Sequence, residues 1–267
     1  MKKVTIFAIA FAAVLITACG GKKSADNAAE ADSLKSFEQQ QIEASIKMHF
    51  DSIAAEIGKL KQPAFLQEGQ DGLTLSKQEK QVKPDYLLEP STADKATTLA
   101  EKYRALSALT VDKNIAKLYE MPIEDYDKAI GKLAADINDP SFKAIENADG
   151  IYETTTTLYE AMNENGRINF FWQLAAASLV EELYVANQNS DKFLSVINDE
   201  AAANLTFRIV LILDAINRLS DYDPEIKPVA DAIAPLDVLN ATTISELKAQ
   251  LAEAKDKIEA ARKALVK

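Results

Sequence analysis

The stretch Thr243–Lys267, TISELKAQLAEAKDKIEAARKALVK, carries the cleanest periodic signal in the chain. Ile244, Leu247, Leu251, Ala254, Ile258, Ala261 and Leu265 recur three and four residues apart without a break, which is the apolar stripe of an amphipathic helix. Thr243 and Glu246 have the spacing of a capping box, in which each side chain satisfies a free backbone N–H of the other. Glu253 with Lys257, and Glu259 with Lys263, lie one helical turn apart and can pair. The seam is narrow and covers about three heptads, too short to hold an isolated coiled coil. It is therefore expected to dock on the protein's own bundle, with a partner helix as the alternative.

The same spacing recurs upstream. Ile42, Ile46, Phe50, Ile53, Ile57 and Leu60 form a second stripe. Gly166–Asn187 and Asp191–Asp221 are the least polar segments, expected to make a buried central hairpin around the turn Gln188-Asn189-Ser190. Breaks are expected at Met121-Pro122, Asp139-Pro140, Asp149-Gly150 and Asn165-Gly166. Between Gln62 and Pro90 the periodicity is lost among Pro63, Gly69, Gly72 and Pro84, while Phe65, Leu66, Leu73 and Leu75 argue that this segment packs over the helices. With only 8 Gly and 8 Pro in 267 residues, and few alternating patterns, the body reads as an all-α multi-helix bundle. An offset of 96 aligns Asp125-Tyr126-Asp127, Ile130, Ala134 and Ile137 with Asp221-Tyr222-Asp223, Ile226, Ala230 and Ile233. Two similar helical halves would give this match, and so would the preference of acidic residues for helix starts.

At the N-terminus, Lys2 and Lys3 precede the apolar run Val4–Ile16, the layout of a bacterial export signal. The run ends well short of the ~20 apolar residues that a membrane-spanning helix needs. Ile16-Thr17-Ala18-Cys19 resembles the lipobox of bacterial lipoproteins, in which the cysteine is acylated and becomes the first residue after cleavage. Cys19 is the only cysteine in the chain, and a thiolate is the side chain suited to take up a diacylglycerol group. At ~0.8 kcal/mol per buried methylene, two or more acyl chains such as palmitate make attachment effectively permanent. On this reading residues 1–18 are a signal peptide and Cys19 is the lipid attachment site. Residues 19–33 are a small, polar tether, and residues 34–267 are a single helical domain.

Loss of Lys2 and Lys3 with the signal changes the formal charge from −11 to −13, which argues against nucleic acid as a partner. His-based nucleophilic catalysis has little to work with, because the chain contains one histidine, His49, on the rim of the first stripe. One histidine and a thiol committed to lipid leave no zinc set. The acidic stretches beginning at Asp125 and Asp221 lack the glycine of a calcium loop at its sixth position, where Ile130 and Ile226 stand. No glycine-rich phosphate loop is present, so no metal and no cofactor is expected. The remaining polar candidates are Glu181 and Glu182 with Arg167 and Arg208, charges set inside the two most apolar helices. A carboxylate pair in a closed pocket can do general acid–base work; the simpler reading is structural ion pairing, because a buried charge needs a counter-ion.

The chain also resembles the helical lipoproteins of Bacteroidota, through Ile16-Thr17-Ala18-Cys19 and through Asn165-Gly166-Arg167 followed by Trp172, Glu182, Leu183 and Tyr184. That resemblance implies no activity. It implies an address: Gly20 after the cysteine resembles lipoproteins passed to the outer membrane, and the basic Lys22-Lys23 differs from the phylum's acidic surface-export signal, which favours the periplasmic face. The expected function is a non-enzymatic binding or structural role in the cell envelope. Its partners would be the membrane, through the lipid, and an envelope protein; a small-molecule carrier with an apolar cavity between the central hairpin and the Gln62–Pro90 segment is the alternative.

Overall fold

In the computed structural model, which describes residues 44–60, 63–66, 72–145 and 155–266, the apolar run after Gly166 forms α7 (Ile168–Gln188). The signal segment, Cys19, the tether and the start of the first stripe lie outside the described residues. Residues 48–267 make one compact unit with α7 at its centre. The first helix, α1, covers residues 44–59. After it come two short helices, α2 (Lys77–Gln81) and α3 (Thr92–Lys95), and then α4 (Leu99–Leu118), α5 (Glu124–Ile137) and α6 (Thr155–Glu164). Beyond α7 lie α8 (Ser190–Phe193), α9 (Asp199–Ser220), α10 (Lys227–Ile233), α11 (Ile244–Glu253) and α12 (Lys255–Leu265). Every regular element among the described residues is helical, so the chain is an all-α bundle.

Helix α7 packs against α4, α6, α9, α10, α11 and α12, which explains why it is apolar nearly all the way round. Trp172 in its second turn is fully buried and meets Phe50, Tyr159 and Phe171, in tilted or edge-to-face geometry, at centroid separations of 5.8, 6.2 and 5.0 Å. These aromatic side chains serve the core.

The second arm of the hairpin begins later than the sequence suggests. Chain turns at α8 and at the 3-10 turn Leu194–Val196 intervene, burying Phe193 and Leu194, before α9 starts. Asn189, in the expected turn, caps α8, and Asn198 caps α9, its side chain accepting from the Ala201 N–H at 2.8 Å, so Asn198 supplies a helix start within the run read as continuous.

The C-terminal stripe turns inward. Leu247, Leu251, Ala254, Ile258, Ala261 and Leu265 are all buried, and the Thr243/Glu246 capping box forms. The expected unbroken helix is divided at Ala254, where ψ is 4°, although Ala254 still donates to Gln250 and accepts from Ile258. α11 packs on α7 and α9, whereas α12 packs on α7, α10 and α4, so the two halves follow different neighbours while their seam stays in phase.

The segments matched at the offset of 96 take different places. Asp125 and Asp127 lie in the first turn of α5, whereas Asp221 caps the end of α9 and Asp223 precedes α10, a helix half as long as α5. The stretch after Gln62 does pack over the helices, with Phe65, Leu66, Leu73 and Leu75 buried.

Gly58 marks a close approach of α1 to α6: a Cβ placed there would lie 2.3 Å from the Oγ1 of Thr156. Gly58→Ala sets a helix-propensity gain of about 1 kcal/mol against a similar cost of turning the exposed Thr156 to another rotamer, so it is expected to change stability little. Adding Thr156→Ala removes the conflict and should release the gain in a urea melt.

Candidate functional site

Glu181 and Glu182 are adjacent on α7 and are 1% and 0% exposed, so each must find its own cation. They turn to different neighbours. Glu182 accepts a hydrogen bond from the Arg208 guanidinium of α9 and another, at 3.0 Å, from the Ser178 hydroxyl one turn back. Burial pushes the Glu182 carboxyl up to about 7, with Arg208 opposing that rise.

Glu181 turns instead to Arg262 of α12, which donates to both of its oxygens at 2.8 and 2.6 Å. The same guanidinium donates to the Tyr86 carbonyl at 3.1 Å, lies 3.8 Å from the centroid of the Tyr184 ring, and stands 3.6 Å from Asp112 of α4. Asp112 is fully buried; its Oδ2 accepts from the Leu88 N–H at 2.7 Å, and its Oδ1 accepts nothing. Two buried carboxylates therefore share one cation. Burial and the neighbouring Glu181 push the Asp112 carboxyl well above the ordinary range, and Glu181 is raised as well. Both shifts favour a proton on this carboxyl pair, which leaves one net negative charge for Arg262.

The four residues singled out in the sequence thus separate into three places. Glu182 and Arg208 meet each other. Glu181 joins Asp112 and Arg262, which sequence reasoning missed. Arg167 stands at the N-terminal boundary of α7, with its guanidinium 5.7 Å from the centroid of the Phe170 ring. Asp112 left a trace: it follows Ala108 by four residues and precedes Ile115 by three, positions where the buried stripe of α4 calls for an apolar side chain. Arg262 gave less, because it flanks the seam at Ile258 and Leu265 and reads as a solvated lysine-like position.

One cavity of about 370 Å³ lies between the end of α1, the 3-10 turn Ala64–Leu66 and the first three turns of α9. Its rim carries the exposed Lys59, Asn198, Glu200 and Asn204. Leu60, Pro63, Ala64, Ile197 and Ala201 form half-buried walls, and Phe65, Leu205 and Arg208 form the buried floor. Lys59 pairs with Glu56 at 2.6 Å, so the rim has no strong excess of either sign. Glu182 stands behind Arg208 and does not line the cavity; neither does Glu181.

His49, the single histidine, bonds through Nε2 to Asp214 of α9 at 2.7 Å, and Asp214 also receives Arg218 at 3.1 Å. Among the described residues no group of three or more His, Cys, Asp or Glu is placed to hold a metal ion. Asp125 and Asp127 are engaged by Lys128 and Lys113. No helix among the described residues is long and apolar enough to cross a membrane. The chain matches no family model, no curated protein and no solved structure.

Proposed function

We propose that the protein is a lipid-anchored, non-enzymatic binding protein of the cell envelope, and that its ligand is a small molecule held in the cavity beside α9. The observation that carries this reading is the cavity itself: about 370 Å³ of space with a polar rim, apolar walls and a buried floor, in the size range of small-molecule sites. The anchor rests on the Ile16-Thr17-Ala18-Cys19 resemblance, which also supports an outer-membrane address facing the periplasm. The inward-turned seam of α11 and α12 supports a ligand over a partner helix, since the most regular apolar stripe is used up in the bundle. A second reading, docking of an envelope protein, is favoured by Phe207 and Val210, which lie one turn apart on α9 and are 43% and 51% exposed.

The test uses N-phenyl-1-naphthylamine, an uncharged dye that fluoresces in apolar surroundings. The soluble form lacking residues 1–19 should bind it saturably, one dye per chain. Ala201→Trp, which fills the cavity from a half-buried wall position, should abolish that binding while leaving the melting temperature within a few degrees. Dye binding that survives Ala201→Trp, or no binding by the parent protein, contradicts the reading.

A further inference from the structure

The outward face of α9 is apolar along its middle. Ala203, Phe207, Val210 and Leu211 share that face at helical spacing; Phe207 and Val210 are exposed, and Ala203 and Leu211 are half-buried. Single stray apolar side chains on a surface need no explanation, but two large ones on one face of a helix form a stripe. Asp214 continues the same face one turn beyond Val210, and there it holds His49 of α1 at 2.7 Å. Met48, where the chain enters the compact unit, is the next residue along α1 and is itself exposed. The N-terminal side of that unit therefore begins beside the stripe.

Two arguments say what covers it. The first is reach: even fully extended, the chain from Cys19 to Met48 spans at most about 100 Å, so a lipid on Cys19 holds the stripe permanently within that distance of a bilayer. The second is size. A side chain as large as phenylalanine offers only about 200 Å² even when wholly buried. Two partly exposed side chains thus fall far short of the roughly 800 Å² that each partner gives to a standard protein interface. A small apolar contact is enough for a surface to which the chain is already tethered, because docking is then intramolecular.

Resting on the lipid anchor proposed above, we propose that the outer face of α9 docks on the bilayer that holds the lipid, with Phe207 and Val210 inserted at the headgroup boundary. The contact is apolar and not electrostatic. The chain is acidic, with a formal charge of −11, which disfavours anionic headgroups. Arg218, the cation at the Asp214 end of the face, is engaged by Asp214 at 3.1 Å. The surface that fits is therefore a zwitterionic phospholipid, and the docking should be indifferent to salt.

The chain's single tryptophan, Trp172, is fully buried, so a second one placed at the stripe reports on the surface against a constant background. Phe207→Trp is prepared in the acylated full chain, the acyl mass on Cys19 is verified, and the protein is reconstituted into phosphatidylcholine–phosphatidylethanolamine vesicles. Brominated phosphatidylcholine should cut the added emission to less than half, in 0.1 M and in 1 M salt alike. Val82→Trp, a comparably exposed probe on the C-cap of α2, should be unaffected. Adding Val210→Asp to Phe207→Trp should abolish the quenching while leaving the melting temperature within a few degrees, since the position is exposed. Emission from Phe207→Trp that brominated lipid leaves unchanged, or quenching that disappears in 1 M salt, overturns the inference while the anchor stands. Cross-linking from position 207 to a protein in the native envelope, without quenching by brominated lipid, gives the face to a partner protein and overturns it too. A Cys19 without acyl chains removes the anchor reading and this one together.

Discussion

Arg262→Met is expected to lower stability at pH 7 by about 3–5 kcal/mol, because it strands Asp112 and Glu181 in the core without a cation. The substitution keeps most of the side-chain volume over the Tyr184 ring, so the loss measures charge more than packing. Its pH dependence identifies the cause. Both carboxyls are already raised by burial in the parent protein, and without Arg262 the folded form needs both protonated. A folded-state pKa above the unfolded one means that the folded chain binds more protons, so stability is greatest below the ordinary carboxyl range and is lost as pH rises through the raised values. The deficit of Arg262→Met against the parent should therefore be small at pH 4.5 and large at pH 8 in urea melts. Glu181→Leu added to Arg262→Met should recover most of it, leaving Asp112 as a neutral acid bonded to the Leu88 N–H. A deficit that is the same at both pH values would mean that Arg262 holds α12 by packing alone.

Arg208→Met is the second large effect, about 3–5 kcal/mol, by the same mechanism at a different place. Glu182→Leu with Arg208→Met should recover most of that loss, because two apolar side chains of similar volume replace the pair. Glu182 also adds its own slope to the parent's stability, in the same direction as Asp112 and Glu181. Its carboxyl moves from 4.5 to about 7 on folding, so the stabilisation from its extra proton is full below pH 4.5 and is lost as pH rises through 7, worth roughly 3 kcal/mol across that window. Glu182→Gln should flatten that part of the curve. Glu79, held near 2 by Lys192 and Ser76, titrates below this window and does not mask the slope.

The helical character of the chain could be read from spacing because every helix long enough to matter buries one face, and a buried face needs apolar residues three and four apart. The stripe from Ile244 to Leu265 and the apolar run of α7 carry that signature in full. The interruption at Ala254 left no trace, since alanine suits a regular helix as well as a turn and the division follows from which neighbours α11 and α12 meet. Asn198-Asp199-Glu200 was a legible helix start that the surrounding apolar run concealed. For the polar groups, sequence could say that Glu181 and Glu182 needed cations, because both lie in an apolar helix. It could not say which cations, because Arg208 is 26 residues away from Glu182 and Arg262 is 81 away from Glu181, and only the packing of α9 and α12 against α7 brings them in. The cavity lies where the alternative reading looked for one, between the Gln62–Pro90 segment and an arm of the central hairpin, but sequence could not say that Arg208 would join Phe65 and Leu205 in its floor.

The most direct test is native mass spectrometry of the acylated protein extracted gently from its own membrane, compared with its denatured mass and with the Ala201→Trp variant prepared alongside. One small molecule per chain should be retained by the parent, released on denaturation and absent from Ala201→Trp. A retained protein in place of the small molecule, or an adduct undiminished in Ala201→Trp, would overturn the cavity reading.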